Sequence, residues 1–438
     1  MSRPRLDPIR VVFDVTHLGQ IHAGPRRGAE RTGLHRVVEQ TIQSVAAEPN
    51  VEVALAADGN WESTLGYVEE HPAMRGLPFP GSGRRRLEHR VRRWAVASYV
   101  RSGSRRTSAL AARVTNRVAV DANRALDHIA TTLGRGPHSR GDVFHSPLLP
   151  LPPVAHRARG VRYFLTVFDL IPQRFPDIVA PWEVGWNRRI TDSIGPDDWV
   201  LAISEHTKRD LLEAYPAIDP ERVAVTPLAA DPRLFRPVAD SAQLAAVRAK
   251  YAVPDGPYLL SLSTLAPHKN LPRLLRAFAE LVRAEPADDL RLVLAGARGG
   301  GYDEILRELD RLGAVSGRIH FTGYVDDADL APLYSGALAF VYPSYYEGFG
   351  LPPLEAMQCG TPVVTGDRAS LPEVVGDAGL TVDPHDTDAL AHALLRVYRD
   401  EGLRVELSRR ALARARAFTW SQFAARTVAA YHTALGGA

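Results

Sequence analysis

The stretch ALAFVYPSYYEGFGLPPLEAMQCGTPVVT, residues 337–365, contains a complete strand–loop–helix–strand unit. Its first six residues are apolar and end at a proline, so the run is too short for a helix and typical of a buried parallel strand. The two prolines at 352–353 suit the first turn of a helix, and Gly360 predicts where that helix ends. A second apolar strand follows at 363–365. The loop therefore lies at the carboxyl end of a strand, where open α/β sheets bind ligands.

The loop itself has the composition of an anion-binding site. Gly348 and Gly350 allow the backbone to approach a ligand closely, and the N-terminus of the following helix favours an anion such as a diphosphate. Glu347 and Glu355 are eight residues apart. They would repel a phosphate, so one interpretation is that they accept hydrogen bonds from the hydroxyls of a sugar and a ribose. The other is that Glu355 only complements the helix dipole while Glu347 is solvated.

Strands and helices alternate along most of the chain, which predicts an α/β fold with doubly wound parallel sheets. The apolar run at 9–15 predicts the first strand, and Tyr258 begins the first strand of a second sheet. Ser204 predicts a helix N-cap. The proline-rich segment 227–254 predicts a boundary between two domains. Apolar and aromatic residues at helical spacing predict a last helix over 419–435.

Several stretches together resemble retaining glycosyltransferases with the GT-B fold, in particular the mannosyltransferase-like members of glycosyltransferase family 4. EGFGLPPLE, residues 347–355, is similar to the family signature of two glutamates separated by seven residues. The resemblance covers nearly all of the C-terminal half and, more faintly, the N-terminal half. Three further stretches occur in family order and at family spacing: LLSLSTLAPHKNLPRLLRAF (259–278), IHFTGYVDDADLAPLYSGA (319–337) and PVVTGDRASLPEVVGDAGLTV (362–382).

The resemblance implies two Rossmann-like, doubly wound domains that face a central cleft. Residues 1–236 would form the N-terminal, acceptor-side domain, and residues 237–416 the domain that binds the nucleotide-sugar. Residues 417–438 would form a C-terminal helix that crosses back to the N-terminal domain. A glycine-rich turn follows the first strand, and a helix is predicted from about Thr32. In this fold Gly33, at the start of that helix, would approach the donor.

The resemblance also implies roles for individual residues. Lys269 and the backbone N–H groups of 348–351 would stabilise the diphosphate, Glu347 would hold sugar hydroxyls, and Glu355 would hold the ribose. We predict a catalytic function for Glu347, Lys269 and Asp169. The predicted donor-binding residues are Gly33, Thr264, Lys269, Gly323, Tyr324, Glu347, Gly348, Phe349, Gly350, Leu351 and Glu355.

Two departures from the family pattern affect this site. Thr264 stands five residues before Lys269, where many relatives have arginine, so charge compensation would depend more on Lys269 and the helix dipole. Phe168 stands where family members commonly have a histidine that contacts the donor sugar. Either the sugar is bound differently, for example as a deoxy sugar whose methyl group meets the ring, or a neighbour such as His145 takes over, or catalysis is weak.

Composition limits the class of protein. The chain has 438 residues, 45% of them hydrophobic, which is enough for two large domains. Its one cysteine, Cys359, excludes a disulfide framework and a multi-thiolate metal site. We expect no metal and no cofactor besides the substrate, and no nicotinamide site, because a G-x-G-x-x-G motif is missing. Without a long apolar run or a signal peptide, a cytoplasmic enzyme is expected.

Between Arg84 and Arg117, arginines are crowded together with aromatic and apolar residues, and Glu88 is the only acid. Such a stretch can lie on an anionic membrane surface, so we expect peripheral contact with the inner face of the plasma membrane, whereas a solvated helical face is the alternative. No nucleic-acid partner is predicted. Four polar side chains are candidates near the cleft: Arg31, Arg36, His17 and His35. Taken individually, each is more typical of a structural or surface position.

The sequence therefore predicts an enzyme that transfers a hexose with retention of configuration to a glycan or lipid-linked acceptor. GDP-mannose is the first choice of donor, and dTDP- or UDP-linked sugars stay open. Two other classes are compatible with the fold. A nonhydrolysing sugar-nucleotide epimerase shares the donor but needs no acceptor, and a catalytically silent GT-B binding protein is favoured by Phe168.

Overall fold

The computed structural model describes residues 8–22, 33–57, 61–79, 140–285 and 289–436. Within these ranges the chain forms two six-stranded parallel sheets. The predicted fold class, α/β with two doubly wound sheets, is confirmed. The glycine-rich turn with Arg31 and Thr32 and the basic stretch from Arg84 to Arg117 lie outside the described residues.

The first sheet has the strand order β2-β1-β3-β4-β5-β6. Its central strands are apolar and buried, as expected where helices cover both faces of a parallel sheet. Its strands are β1 (Ile9–Asp14), β2 (Val51–Ala56), β3 (Val143–Ser146), β4 (Arg162–Val167), β5 (Trp199–Ala202) and β6 (Val223–Val225). The accompanying helices are α1 (Thr16–His22), α2 (Gly33–Ala46), α3 (Trp61–Glu70), α4 (Ile171–Arg174), α5 (Pro181–Thr191) and α6 (Glu205–Ala214).

The second sheet has the strand order β12-β11-β10-β7-β8-β9. The order reverses between β7 and β10, so the loops that follow these two strands meet at the topological switch point, where doubly wound sheets bind ligands. Its strands are β7 (Tyr258–Leu262), β8 (Arg291–Ala295), β9 (Ile319–Gly323), β10 (Ala339–Tyr342), β11 (Val363–Gly366) and β12 (Leu380–Val382). The helices that follow β6 are α7 (Ser241–Lys250), α8 (Leu271–Ala284), α9 (Tyr302–Leu312), α10 (Asp327–Ser335), α11 (Leu351–Gln358), α12 (Leu371–Val375), α13 (Thr387–Arg399), α14 (Glu401–Ala415) and α15 (Trp420–Ala434).

The helix α11 begins and ends close to the predicted positions. Gly350 is its N-cap, with a φ of 113° that L side chains rarely adopt. Cys359 caps the other end and is buried, and Gly360 follows with a φ of 76°. Burial raises the pKa of the Cys359 thiol to about 12. Ser204 is the N-cap of α6, and its side chain accepts a hydrogen bond from the backbone N–H of Thr207. These observations agree with the predicted caps.

The last helix, α15, packs on the first sheet. Tyr431 is fully buried there, and its ring lies edge-on against Phe164 at 4.7 Å between centroids. Its hydroxyl is hydrogen-bonded to Nδ1 of His145 at 2.7 Å. The chain thus returns to the first sheet after it has completed the second. This return ties the two halves together across residues 227–254, the linker between the two sheets.

Candidate active site

The core of the site is an ion pair at the switch point of the second sheet. Lys269, in the loop after β7, places its Nζ 2.7 Å from Oε1 of Glu347, in the loop after β10. The same Nζ lies 2.8 Å from the hydroxyl of Tyr342, and Ser344 Oγ donates to Glu347 Oε1 at 2.6 Å. Both charged side chains are only about a tenth exposed, at 13% and 10%. The structure therefore brings together two of the three predicted catalytic residues.

Burial and neighbouring charges set the protonation states here. Burial alone would raise the pKa of Glu347, but the Lys269 charge and the hydrogen bonds from Lys269 and Ser344 outweigh it and lower that pKa. Burial, with repulsion from Lys269, lowers the pKa of His268 to about 4. Near neutral pH the site therefore contains an ionised Glu347 beside the uncharged imidazole of His268.

Asp169, the third predicted catalytic residue, approaches this pair from the first sheet. It follows β4, and its Oδ1 accepts a hydrogen bond from the backbone N–H of Ile171 at 2.9 Å. Burial raises the pKa of Asp169, and the charge of Glu347 adds to this while Lys269 opposes it. The three predicted catalytic residues thus interact electrostatically although they come from both halves of the chain.

The glycine loop makes close contact with the first sheet's side of the cleft. A Cβ on Gly348 would lie 2.0 Å from the carbonyl oxygen of Phe168, so this position requires glycine. The Gly348 carbonyl accepts hydrogen bonds from Ser204 Oγ at 2.7 Å and from Thr207 Oγ1 at 3.1 Å. The loop is therefore fixed against the N-terminus of α6.

Ser370 fixes the other side of this loop. Its Oγ lies 2.8 Å from the carbonyl oxygen of Glu347 and 2.7 Å from that of Phe349, so its single O–H donor is shared between the two. Because N–H and C=O of a trans peptide point in opposite directions, the N–H groups of Gly348 and Gly350 are directed away from Ser370. The backbone of the loop is thus pre-arranged for an anion next to the N-terminus of α11. Leu351 is the first residue of α11 and directly follows this loop.

Glu355, the predicted ribose-binding residue, is buried in α11 and already accepts hydrogen bonds from two side chains. Its Oε1 accepts from Nη2 of Arg36 at 2.7 Å, and its Oε2 accepts from the hydroxyl of Tyr334 at 3.1 Å. Burial raises the pKa of Glu355, although the Arg36 charge opposes that effect. Arg36 lies on α2, whose first residue, Gly33, has its Cβ position 3.8 Å from Nη2 of this arginine. Gly33 thus reaches the site next to Arg36.

Three predicted donor-binding residues lie farther along the same edge of the sheet. Thr264 is exposed, and its Cγ2 lies 3.0 Å from the Cβ position of Gly299 in the loop after β8. Gly323, with a φ of 70°, ends β9, and the exposed Tyr324 follows it. Because β9 is three strands from β10, Gly323 and Tyr324 are about 14 Å from the glycine loop, whereas Thr264 follows β7, the strand next to β10. An extended ligand such as a nucleotide-sugar can span that distance.

One alternative is wrong. His145 cannot replace the family histidine at the donor, because it is fully buried in β3 and both ring nitrogens are used inside the core. Its Nε2 is hydrogen-bonded to Oγ1 of Thr166 at 2.8 Å, and its Nδ1 to Tyr431. Burial lowers its pKa to about 3. Phe168 itself is partly buried and packs against the apolar cluster that contains Phe349.

Sequence reasoning missed several contacts across the cleft. Arg36, which taken alone was more typical of a structural or surface position, forms an ion pair with Glu355. Tyr346, next to the glycine loop, donates a hydrogen bond to Asp210 of α6. The ring of Tyr346 also lies edge-on against His206 at 5.1 Å. The position of Arg36 three residues after Gly33, in a stretch that resembles the family, was the only available signal. The contact between Tyr346 and Asp210 joins residues that are 136 positions apart in the chain, and no local pattern indicated it.

Two doubly wound parallel sheets, with a glycine loop and two buried glutamates where they meet, have the architecture of the GT-B glycosyltransferases. Residues 245–414 match the model of the family described as "Glycosyl transferases group 1". The chain is 36% identical over 295 residues to O-antigen chain mannosyltransferase B of Escherichia coli, covering 66% of this chain and 74% of that protein. The chain belongs to this glycosyltransferase family, as its resemblance predicted.

Two further likenesses agree with this assignment. The chain is 33% identical over 228 residues to the serotype-specific mannosyltransferase WbdA of Escherichia coli, covering 52% of this chain but only 28% of that protein. A solved glycosyltransferase from Rickettsia africae ESF-5 superposes with a TM-score of 0.64 at 14% identity, covering 99% of this chain and 100% of that one. At this identity the likeness concerns the fold.

A membrane span and a metal-ion site are two further features that bear on the described residues. None of their helices combines the length and apolar character that crossing a bilayer requires. Within the same ranges, no three histidine, cysteine or acidic side chains are grouped so that they could hold a metal ion. Metal independence stays a prediction that needs its own experiment.

Proposed function

We propose that this protein is a retaining glycosyltransferase of family 4 that transfers mannose from GDP-mannose to a glycan or lipid-linked acceptor. The observation that carries the proposal is the buried Lys269–Glu347 pair beside the N-terminus of α11, at the switch point of the second sheet. A cationic group and a helix N-terminus suit a leaving diphosphate, and a buried carboxylate suits sugar hydroxyls.

The proposed reaction needs stabilisation of charge more than covalent help from the protein. As the glycosidic bond breaks, negative charge grows on the diphosphate, and Lys269 and the N–H groups of 348–351 would stabilise it. Glu347 would hold the sugar and Glu355 the ribose. The acceptor hydroxyl would attack the face that the diphosphate leaves, and the diphosphate would take its proton. Asp169 would orient the acceptor from the side of the first sheet.

Mannose is supported by the names of the relatives, since O-antigen chain mannosyltransferase B and WbdA are both mannosyltransferases. These names also support a glycan acceptor, because one of the two is named for an O-antigen chain. They do not favour an epimerase or a silent binding protein. GDP as the nucleotide, a cytoplasmic location and peripheral contact with an anionic membrane are part of the proposal.

The direct test is transfer from a panel of GDP-, UDP- and dTDP-sugars to a lipid-linked glycan acceptor, with and without EDTA. We expect GDP-mannose to be used best, EDTA to have no effect, and NMR of the product to show an α-linkage. Lys250→Ala serves as a matched control, because this exposed lysine pairs with Asp326 and Asp329 outside the ion-pair site. Release of epimerised sugar nucleotide, or binding without turnover, would contradict the proposal.

A membrane test is separate. Flotation of the full chain with vesicles of phosphatidylglycerol and with neutral phosphatidylcholine vesicles measures whether anionic lipid recruits the protein. We expect recruitment to the anionic vesicles only, and a decrease as salt is added. Equal recruitment to both vesicles, or to neither, would contradict peripheral contact and leave the transferase proposal intact.

A further inference from the structure

Arg36 connects the two halves of the chain at the predicted ribose position. It lies on α2, which packs with the first sheet, yet its guanidinium reaches α10 and α11 of the second half. Nη2 lies 2.7 Å from Oε1 of Glu355, and Nη1 lies 2.6 Å from Oδ1 of Asp327. The side chain is 17% exposed, whereas that of Glu355 is only 4% exposed. The arginine thus shields the buried carboxylate from one side.

The Glu355 carboxylate still has unused hydrogen-bond acceptor capacity. A carboxylate can accept about four hydrogen bonds. Arg36 and Tyr334 use one on each oxygen, and they hold the group in a single orientation. About two acceptor positions remain, which is the number that a pair of vicinal ribose hydroxyls would need. Arg36 therefore orients the carboxylate without using up its capacity.

Charge makes this arrangement necessary. A carboxylate as buried as Glu355 needs a cation at hydrogen-bond distance, and Arg36 is the one that the described residues provide. Asp327, the other acid on this guanidinium, adds negative charge to the same place, and the aromatic face of Phe235 lies 5.3 Å from the guanidinium carbon. Arg36 is thus held in position by groups from α10 and the linker as well as by Glu355.

We propose that Arg36 is a positioning residue for the donor nucleotide: it holds and neutralises Glu355, and so makes nucleotide binding by the second half depend on α2 of the first half. This inference rests on the proposed function, in which Glu355 binds the ribose. It adds a residue that contacts no reacting atom and acts through another side chain.

The test is calorimetric titration of the full chain with GDP, which needs no acceptor and no turnover. Five proteins are compared with the wild type: Arg36→Met, Arg36→Lys, Glu355→Gln, the double variant Arg36→Met/Glu355→Gln, and Gln40→Ala. Gln40 lies one turn further along α2, where it donates to Asp231 in the linker at 3.0 Å. It is therefore a matched control for a contact of the same helix outside the site.

We expect Arg36→Met to weaken GDP binding about tenfold or more, as the loss of a charge-assisted interaction does. Arg36→Lys should restore part of the affinity, and Gln40→Ala should bind as the wild type. Because Arg36 acts through Glu355, the double variant should bind no more weakly than Glu355→Gln alone. In transfer assays the KM for donor should rise in Arg36→Met while kcat at saturating donor changes little.

Unchanged or tighter GDP binding by Arg36→Met overturns the inference, and so do independent, additive effects in the double variant. If Arg36→Met does not fold, the lysine variant and the double variant, which removes both charges, carry the same comparison. A wild type that binds neither GDP nor UDP overturns the proposed function together with this inference. Normal wild-type binding with unaffected Arg36 variants overturns the inference alone.

Discussion

Lys269 Nζ and Glu347 Oε1 are 2.7 Å apart, so the cation assigned to the diphosphate is paired with the carboxylate assigned to the sugar. An ammonium group has three N–H donors. One points to Glu347 and one to the hydroxyl of Tyr342, 2.8 Å away, which leaves the third for a phosphate oxygen. The pairing therefore orients the lysine while it keeps one donor for the ligand.

Replacing this lysine should show how much charge the diphosphate requires. Lys269→Ala removes a charge-assisted hydrogen bond worth roughly 1.5–3 kcal/mol, so kcat/KM should fall at least about tenfold. Steady-state transfer by the variant, by the wild type and by the control Lys250→Ala measures this. Near-normal activity in a folded Lys269→Ala protein would remove Lys269 from the site.

The two glutamates should have separable effects. Glu355→Gln should mainly raise the donor KM, because the ribose is bound equally in the ground state and the transition state. Glu347→Gln should chiefly lower kcat, because the sugar gains charge as its bond breaks and because Lys269 loses its partner. Full kinetics on both variants decide the matter. The same change in KM and kcat for both would show that this division of roles is wrong.

Phe168 tests the identity of the sugar. If its ring meets the methyl group of a deoxy sugar, burying that group contributes roughly 0.8 kcal/mol, a selectivity of a few-fold. Phe168→His should then shift preference towards the hydroxylated donor. Donor ratios and Tm are measured on the same variant. A lower Tm with an unaltered donor ratio would instead assign Phe168 to packing against the cluster around Phe349.

The pH dependence of stability should reveal the buried His268. Its pKa is about 4 in the folded protein, and about 6.5 is expected in the unfolded chain. Between these values the unfolded chain binds a proton that the folded chain does not, so this histidine lowers stability as pH falls from about 6.5 to 4. Urea unfolding at several pH values should show a shallower loss for His268→Gln than for the wild type.

An identical pH dependence in the two proteins would mean that His268 accepts a proton in the folded state. His145, whose pKa is about 3 because of its burial, contributes in the same direction and is present in both proteins. It therefore cancels from the comparison.

Gly348 should be intolerant of any side chain. In Gly348→Ala the new Cβ would lie 2.0 Å from the backbone oxygen of Phe168. The loop must therefore move away from Ser204 and Thr207, whose hydroxyls donate hydrogen bonds to its backbone. We expect a loss of activity of about a hundredfold, typical of a misplacement of about 1 Å at an active site. Gly300→Ala is the matched control, because a Cβ there meets nothing within 4 Å. Comparable activity of both variants would contradict the close packing.

The sequence predicted those parts of the fold that local patterns control. The ends of α11 depend on Gly350, two prolines and Gly360, all within one stretch, and they were found. His145 was misjudged because it lies within β3 and not in the loop that follows this strand, so its ring points to the last helix and not to the cleft at the strand ends. Its ring turned out to lie in the core of the first sheet.

The contacts across the cleft could not be predicted from the sequence, and the physical reason is the same for each of them. Arg36 and Glu355 are 319 residues apart, and Ser204 and Gly348 are 144 residues apart. Their meeting depends on how two sheets and a linker pack, not on any local propensity. Only the chemical types of Glu347, Lys269 and Glu355, at family spacing, indicated where such contacts would be found.

The buried cap of α11 has a practical consequence. Cys359 is the chain's single cysteine, and its thiol has a pKa of about 12 in the folded protein. The thiolate is the nucleophile that attacks thiol reagents, so labelling must wait until this helix end opens. The rate of modification therefore reports local opening of the element that carries Glu355. The native chain therefore contains an intrinsic chemical probe of the opening of α11, and no engineered label is required.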